Sequence, residues 1–450
     1  MRVFTPIPFT FALDAVMLSR SIYMSYLDFR IRASKMVLTE RKKMQKSNKA
    51  TILVAAAIAT LVLAGCSSDN SSSSLKIGSL LPETGSLAFL GPPEFAGVDL
   101  AVADINAAGG VLGADIEHIR GDSGDTSSDI AQQTADSHIS AGVSAIVGAA
   151  SSGVSFTVID KIASAGIVHF SPANTSPDFT NYADDGYYFR SAPSDTFQGA
   201  VLGQLMAKEG ATNAVVLNLD DAYGNGLAKY AMAAFTGTST NIVYNPQAAE
   251  FSADVAKAKA AKPDAIAIIG FDETAKIFTE LIKQGIGPDK VKTYLVDGNL
   301  SSGAYKDLPA GIMKGVKGTL PGVLAGGDLQ KRLLGVDPNL TDYSYAAESY
   351  DAVILIALAA EQGGATDGKT IRDNLVSVSK GGTKCTTFAE CKALIKDGVD
   401  IDYDGVSGPI EFADNGDPSY ATMGVYVYEA NDKYVALPAE FISGDVPAGE

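Results

Sequence analysis

Histidine and cysteine are scarce in this chain, with three of each among 450 residues. His118, His138 and His169 lie far in sequence from Cys385 and Cys391, so the usual metal-ligand spacing is missing and no metal site is expected. A nucleophile–base pair is lacking too. No Gly-x-Ser-x-Gly elbow occurs, and His169 falls inside an apolar stretch, as a core histidine would. The run 148–153 has the spacing of a phosphate loop but not the Lys and Ser/Thr that follow one, which argues against nucleotide binding; no cofactor is expected. Positive charge is also short, at 35 Lys and Arg against 52 Asp and Glu. Ten of those bases and three of those acids fall within residues 1–65, so the remainder holds 25 bases against 49 acids. Such an excess excludes nucleic acid and anionic membrane surfaces as partners. Beyond residue 66 no apolar run reads as a membrane span: residues 346–360 are interrupted by Glu348 and Asp351 and read as a core helix.

The informative presence is Leu63-Ala64-Gly65-Cys66, at the end of the apolar segment 51–63. Lys46 and Lys49 precede that segment, which is too short to span a bilayer but suits the core of an export signal. The small residues before Cys66 resemble a bacterial lipobox, in which the cysteine is acylated and becomes the mature N-terminus. A serine-rich tether follows at 67–74. The chain after Cys66 is therefore expected outside the cytoplasm, held to the membrane by lipid. Residues 1–43 contain no clean signal, and translation is expected to begin at Met44 or Met36, leaving 1–43 as an extension and 44–66 as the signal peptide. In an exported chain, Cys385 and Cys391 with a five-residue gap predict a disulfide. The 385 residues from Cys66 onward favour two domains.

From Leu75, short apolar runs alternate with helix-length stretches. Strands are predicted at 76–81, 144–147, 167–170, 214–219, 264–269 and 293–296, and helices at 94–107, 129–140, 197–209, 253–261 and 274–284. Continuous apolar strands alternating with helices predict an α/β fold of parallel sheets covered by helices. Ligands of such sheets bind at the carboxyl edges of the strands. The segments there are 148–153, 171–175, 220–224, 270–273 and 297–298. The first two carry hydroxyls and no charge, a composition suited to a carboxylate at a helix N-terminus. Taken alone, Ser152 and Thr175 read more readily as simple helix caps, and Asp297-Gly298 as an ordinary turn. Taken together, an uncharged anion site facing Asp297, Tyr223 and Phe271 would hold a zwitterion by both ends.

Several ordered stretches carry a family resemblance. They are Lys76-Ile77-Gly78 with Thr84-Gly85, Asn106-Ala107-Ala108-Gly109-Gly110, Gly166-Ile167 leading to Ser171-Pro172, Arg190-Ser191, Tyr223-Gly224-Asn225-Gly226 and Gly408-Pro409-Ile410. Over residues 75–441 the chain resembles the type I periplasmic binding proteins of ABC transporters, in their leucine/isoleucine/valine-binding branch. The resemblance implies two Rossmann-like, doubly wound lobes, 75–193 with 322–404 and 194–321 with 405–450, joined by three hinge crossovers near 193–194, 320–322 and 404–406. It implies that Ser152, Thr175 and the backbone of Ala173 take the α-carboxylate and that Asp297 holds the α-ammonium. Tyr223 would close over the ligand, with Asp195 and Phe271 also in the cleft. Leu90 stands where some relatives carry an aromatic residue. The implied activity is capture of an amino acid, branched-chain by this branch, and delivery to a membrane permease with its ATPase, without catalysis and as a monomer. A sensor module signalling to a membrane receptor is the alternative, as are amides, urea or short carboxylates as ligands.

One motif points elsewhere. Asp400, Asp402, Asp404 and Glu411, with Gly405, match the spacing of a calcium-binding EF-hand loop. Pro409 falls where the exiting helix should start, and 408–412 reads as a strand, so a solvated acidic turn is expected instead.

Overall fold

Runs of Ala, Val and Ile with no polar alternation form strands only where both faces of a sheet are covered. The computed structural model, which describes residues 74–322 and 325–447, places such runs in two sheets. Cys66, the signal segment 44–66, the extension 1–43 and residues 67–73 of the tether lie outside the described residues. The first sheet contains β1 (Lys76–Leu80), β2 (Glu117–Ile119), β3 (Ala145–Gly148), β4 (Val168–Ser171) and β5 (Tyr188–Arg190), all parallel, in the order β2-β1-β3-β4-β5. The second repeats this winding with β6 (Asn213–Leu219), β7 (Thr238–Tyr244), β8 (Ala265–Ile269), β9 (Lys292–Leu295) and β10 (Lys317–Pro321), in the order β7-β6-β8-β9-β10. The central strands β3 and β8 are buried at every residue, whereas edge strand β7 buries only Ile242 and Tyr244.

A small sheet of β11 (Thr383–Cys385), β12 (Ile401–Gly405) and β13 (Gly408–Pro409) follows. The chain then returns to the second sheet as β14 (Tyr420–Tyr428), antiparallel to β10, with β15 (Tyr434–Ala436) and β16 (Ile442–Asp445) antiparallel to β14. The second sheet is therefore mixed, not purely parallel. A five-residue link turns β14 back into β15, and a second carries the chain on to β16, which runs in the same direction as β15 along the other end of β14.

The first sheet is closed by a helix supplied from far along the chain. Ala346–Gly363 is buried at fifteen of its eighteen positions and packs beside helix Gly91–Ala107 in one core with β1, β3 and β4. Gly97 permits this contact: a Cβ there would stand 2.2 Å from the Ala346 carbonyl oxygen. No helix of the described residues is long and apolar enough to cross a membrane.

The chain passes between the two cores three times, first between β5 and helix Asp195–Lys208, then after β10 at Gly322. The third passage comes later than the 404–406 read from the sequence. Ile410 and Phe412 still pack in the first core, so the crossing lies between Phe412 and β14. A small cavity of about 40 Å³ lies among the crossings, lined by Ser191, Pro193, Gly322, Pro418 and the side of Glu348, among others. Arg190 and Asp417 brace the same junction. The buried guanidinium donates to both carboxylate oxygens at 2.6 and 2.9 Å and to the Ser176 carbonyl at 2.8 Å.

Cys385 and Cys391 are disulfide-bonded with a Cα separation of 5.4 Å, tying β11 to helix Phe388–Lys396. Residues 401–405 are extended strand where a calcium loop would coil. The Lys384 ammonium sits 2.9 Å from both Asp402 and Asp404 and 3.9 Å from Glu411, so a side-chain cation already lies among three of the four acids. Among the described residues no group of three or more His, Cys, Asp or Glu is arranged to hold a metal.

Candidate functional site between the two sheets

In each sheet the strand order reverses beside its first strand, and the loops leaving the carboxyl ends there form the natural ligand crevice. On the first side, the loops after β3 and β4 are bound into one unit. Ser171 Oγ donates to the Ala149 carbonyl (2.7 Å) and accepts from the amides of Ala173 (3.2 Å) and Asn174 (2.9 Å). Asn174 Nδ2 reaches the carbonyls of Ala149 and Ala150 at 3.0 and 2.8 Å, and Tyr188 OH donates to its Oδ1 at 2.9 Å. Ser152 Oγ accepts from the amides of Thr175 and Ser176 at 3.3 and 3.2 Å. Ser152 thus bridges the two loops, and Ser151 caps the short helix Ser152–Phe156. The Ala173 amide, expected to face a carboxylate, is engaged by Ser171.

On the second side, Asp297 follows β9 and accepts from three neutral donors. Its Oδ1 accepts from Tyr223 OH (2.8 Å) and Gln198 Nε2 (2.9 Å), and its Oδ2 from Tyr345 OH (2.7 Å). Burial raises the pKa of this carboxyl, and the bonds from Tyr345, Tyr223 and Gln198 pull it back down. Tyr223 stacks on Phe271 with ring centres 5.6 Å apart, and its hydroxyl accepts from the Gly298 amide at 3.3 Å. Asp221 caps the helix that carries Tyr223 by accepting from the Gly224 amide at 2.7 Å, and burial pushes its pKa up to about 6.

Asp195 differs from all of these. It is fully buried at the start of helix Asp195–Lys208, with the Thr175 hydroxyl beside it. Burial first, and the charge of Asp297 second, hold the Asp195 carboxyl well above the usual range. A buried carboxylate with no cation in contact costs several kcal/mol unless it is protonated.

The pocket between the halves is lined by Leu87, Leu90, Ala150, Ser151, Ser152, Ala173, Tyr223, Phe271, Asp297, Gly298 and Tyr345. Five of the seven residues picked from the sequence stand on its walls, namely Ser152, Ala173, Tyr223, Phe271 and Asp297, while Thr175 and Asp195 lie outside its lining. The space is about 10 Å³, room for one water, so a solute enters only if the halves separate. Tyr345, Gln198 and Asn174 escaped the sequence reading. Tyr345 is held at φ +59°, the left-handed region, directly before helix Ala346–Gly363; an aromatic residue at the start of that apolar helix was the available signal.

The sequence profile of the periplasmic binding proteins matches residues 74–434. The chain belongs to that family. The "Chemotactic signal transduction system substrate-binding protein BasB" of Halobacterium salinarum is 28% identical over 350 residues, covering 74% of this chain and 82% of the relative. The Leu/Ile/Val-binding protein homolog 2 of Brucella abortus is 32% identical over 221 residues, 47% of this chain and 58% of that protein. Among solved structures, the fold is shared with the branched-chain amino acid transporter substrate binding protein LivJ of Streptococcus pneumoniae, determined with isoleucine. That match has a TM-score of 0.68 and 24% identity, covering 82% of this chain and all of LivJ. The relatives are solute-binding proteins and not enzymes, and this chain is likewise a binding protein. The family implies a location outside the cytoplasm.

Proposed function

We infer that this binding protein captures an α-amino acid between its two halves and delivers it to an ABC permease driven by its ATPase. The observation that carries this reading is the asymmetry of the crevice. One side offers hydroxyls and amides without charge, and the other places two buried acids, Asp297 and Asp195, close enough for the charge of one to raise the pKa of the other. An ammonium satisfies the acids and a carboxylate meets the uncharged side, so one zwitterion joins the halves. Leu87, Leu90 and Ala150 supply apolar walls, which suit the branched-chain solutes named for the Brucella and Streptococcus proteins. Ser152 and Thr175 serve the carboxylate beside the backbone of Ala173, whose amide stays with Ser171; Asp297 and Asp195 serve the ammonium, and Tyr223 and Phe271 cover it. The protein works as a monomer, tethered by lipid on Cys66.

Calorimetry on residues 67–450 tests the site. Leucine, isoleucine or valine is expected to bind, and Asp297→Ala to weaken binding about 100-fold, since a buried charge loses its partner. Near-unchanged affinity in that variant would sink the assignment.

The kinship to BasB supports a second reading, in which the ligand-closed form is read by a membrane receptor. Capture of a receptor ectodomain only in the presence of ligand would favour sensing over transport.

A further inference from the structure

Beyond the Asp297 pocket the crevice widens into a second chamber of about 410 Å³. The same loops build both spaces with alternate residues. Leu87 and Leu90 face the inner pocket while Ala88, Phe89 and Pro92 line the outer chamber; Gly298 faces inward and Asn299 outward; and Phe271 stands on the wall of both. The inner pocket has room for about one water until the halves separate, whereas the outer chamber falls in the range of small-molecule sites. Three aromatic residues line the outer chamber: Phe89 from the first half, and Phe271 and Tyr305 from the second. Its charged residues are Asp272 and Asp342, with neither Lys nor Arg on the wall. Asp342 accepts from the Ser344 amide (2.9 Å) and Tyr434 OH (3.2 Å).

We propose that the outer chamber is the side-chain subsite of the ligand, and that it selects α-amino acids with a large aromatic side chain over the branched-chain ones. This rests on the α-amino acid reading given above. The backbone groups of such a solute sit at Asp297, the side chain runs past Phe271, and its ring packs against Phe271 and Phe89. Offset or edge-to-face contact between rings adds attraction beyond burial of apolar surface. A branched aliphatic side chain ends near Phe271 and leaves the chamber wet. An acidic side chain meets Asp272 and Asp342 and is rejected.

Calorimetric titration of the wild-type protein with phenylalanine, leucine and glutamate tests this. Phenylalanine is expected to bind at least tenfold tighter than leucine, and glutamate not measurably. Phe89→Ala should weaken phenylalanine about tenfold and leave leucine within about twofold. Ala304→Trp, on a partly exposed stretch of the chamber wall, should block phenylalanine alone and serves as the second variant should Phe89→Ala fail to fold. Leucine binding as tightly as phenylalanine, with both variants silent, overturns the chamber and leaves the amino-acid reading standing. Failure of every α-amino acid to bind would overturn both.

Discussion

Replacing Arg190 with methionine is expected to lower the unfolding free energy by about 3–5 kcal/mol, the cost of leaving a buried partner charge uncompensated. Arg190 is wholly buried and meets Asp417 through two parallel N–H···O bonds, with the Ser176 carbonyl and Thr180 hydroxyl as further acceptors. Burial alone would lower the pKa of the guanidinium, but Asp417 outweighs that effect and raises it. The pair joins the chain at its first crossing to the chain at its third, so its loss is felt at the junction of the two cores. Urea denaturation of the Arg190→Met protein measures the effect. The double variant Arg190→Met with Asp417→Leu should recover much of it, because no orphan charge remains. A loss below about 1 kcal/mol in the single variant would show that the pair does not brace the junction.

Glu348→Gln is expected to act in the opposite direction and only at neutral and alkaline pH. Glu348 lines the cavity among the three crossings, 4% exposed, and burial raises its pKa to about 8, with the charge of Asp351 adding to the shift. Glu94, fully buried with both oxygens unpartnered, faces it from helix Gly91–Ala107 and is itself raised, by burial and then by Glu348. The folded state therefore keeps a proton on Glu348 that the unfolded chain releases near its ordinary value of 4.5. The associated stability is complete below that value and declines as pH rises toward about 8. Glutamine copies the protonated carboxyl at every pH. The variant should match the natural protein near pH 5 and exceed it at pH 8 by roughly 2–4 kcal/mol. Thermal unfolding across that range decides the matter, and parallel curves for the two proteins would refute the role of Glu348.

The strands of both sheet centres could be read from the sequence because burial on two faces leaves an unbroken apolar run, as in Ala265–Ile269. The crevice residues at strand ends followed from the same logic. Tyr345 and Gln198 did not, because they reach Asp297 from segments 48 and 99 residues away, a proximity created by the crossings and by no local pattern. β14 was equally hidden: its direction depends on where the chain re-enters the second sheet. The calcium-like spacing shows the converse failure. Spacing records which acids share a loop, but Lys384 arrives among them from a neighbouring strand.

The first core joins Leu75 to Phe412 and needs helix Ala346–Gly363 over its sheet, while β6 to β10 of the second lie in one uninterrupted stretch. A growing polypeptide can thus pair the strands of its later half before the earlier half has the material to close. Neither half closes early, however: the first waits for helix Ala346–Gly363 and the second for β14, so each keeps an apolar face bare until most of the chain has emerged.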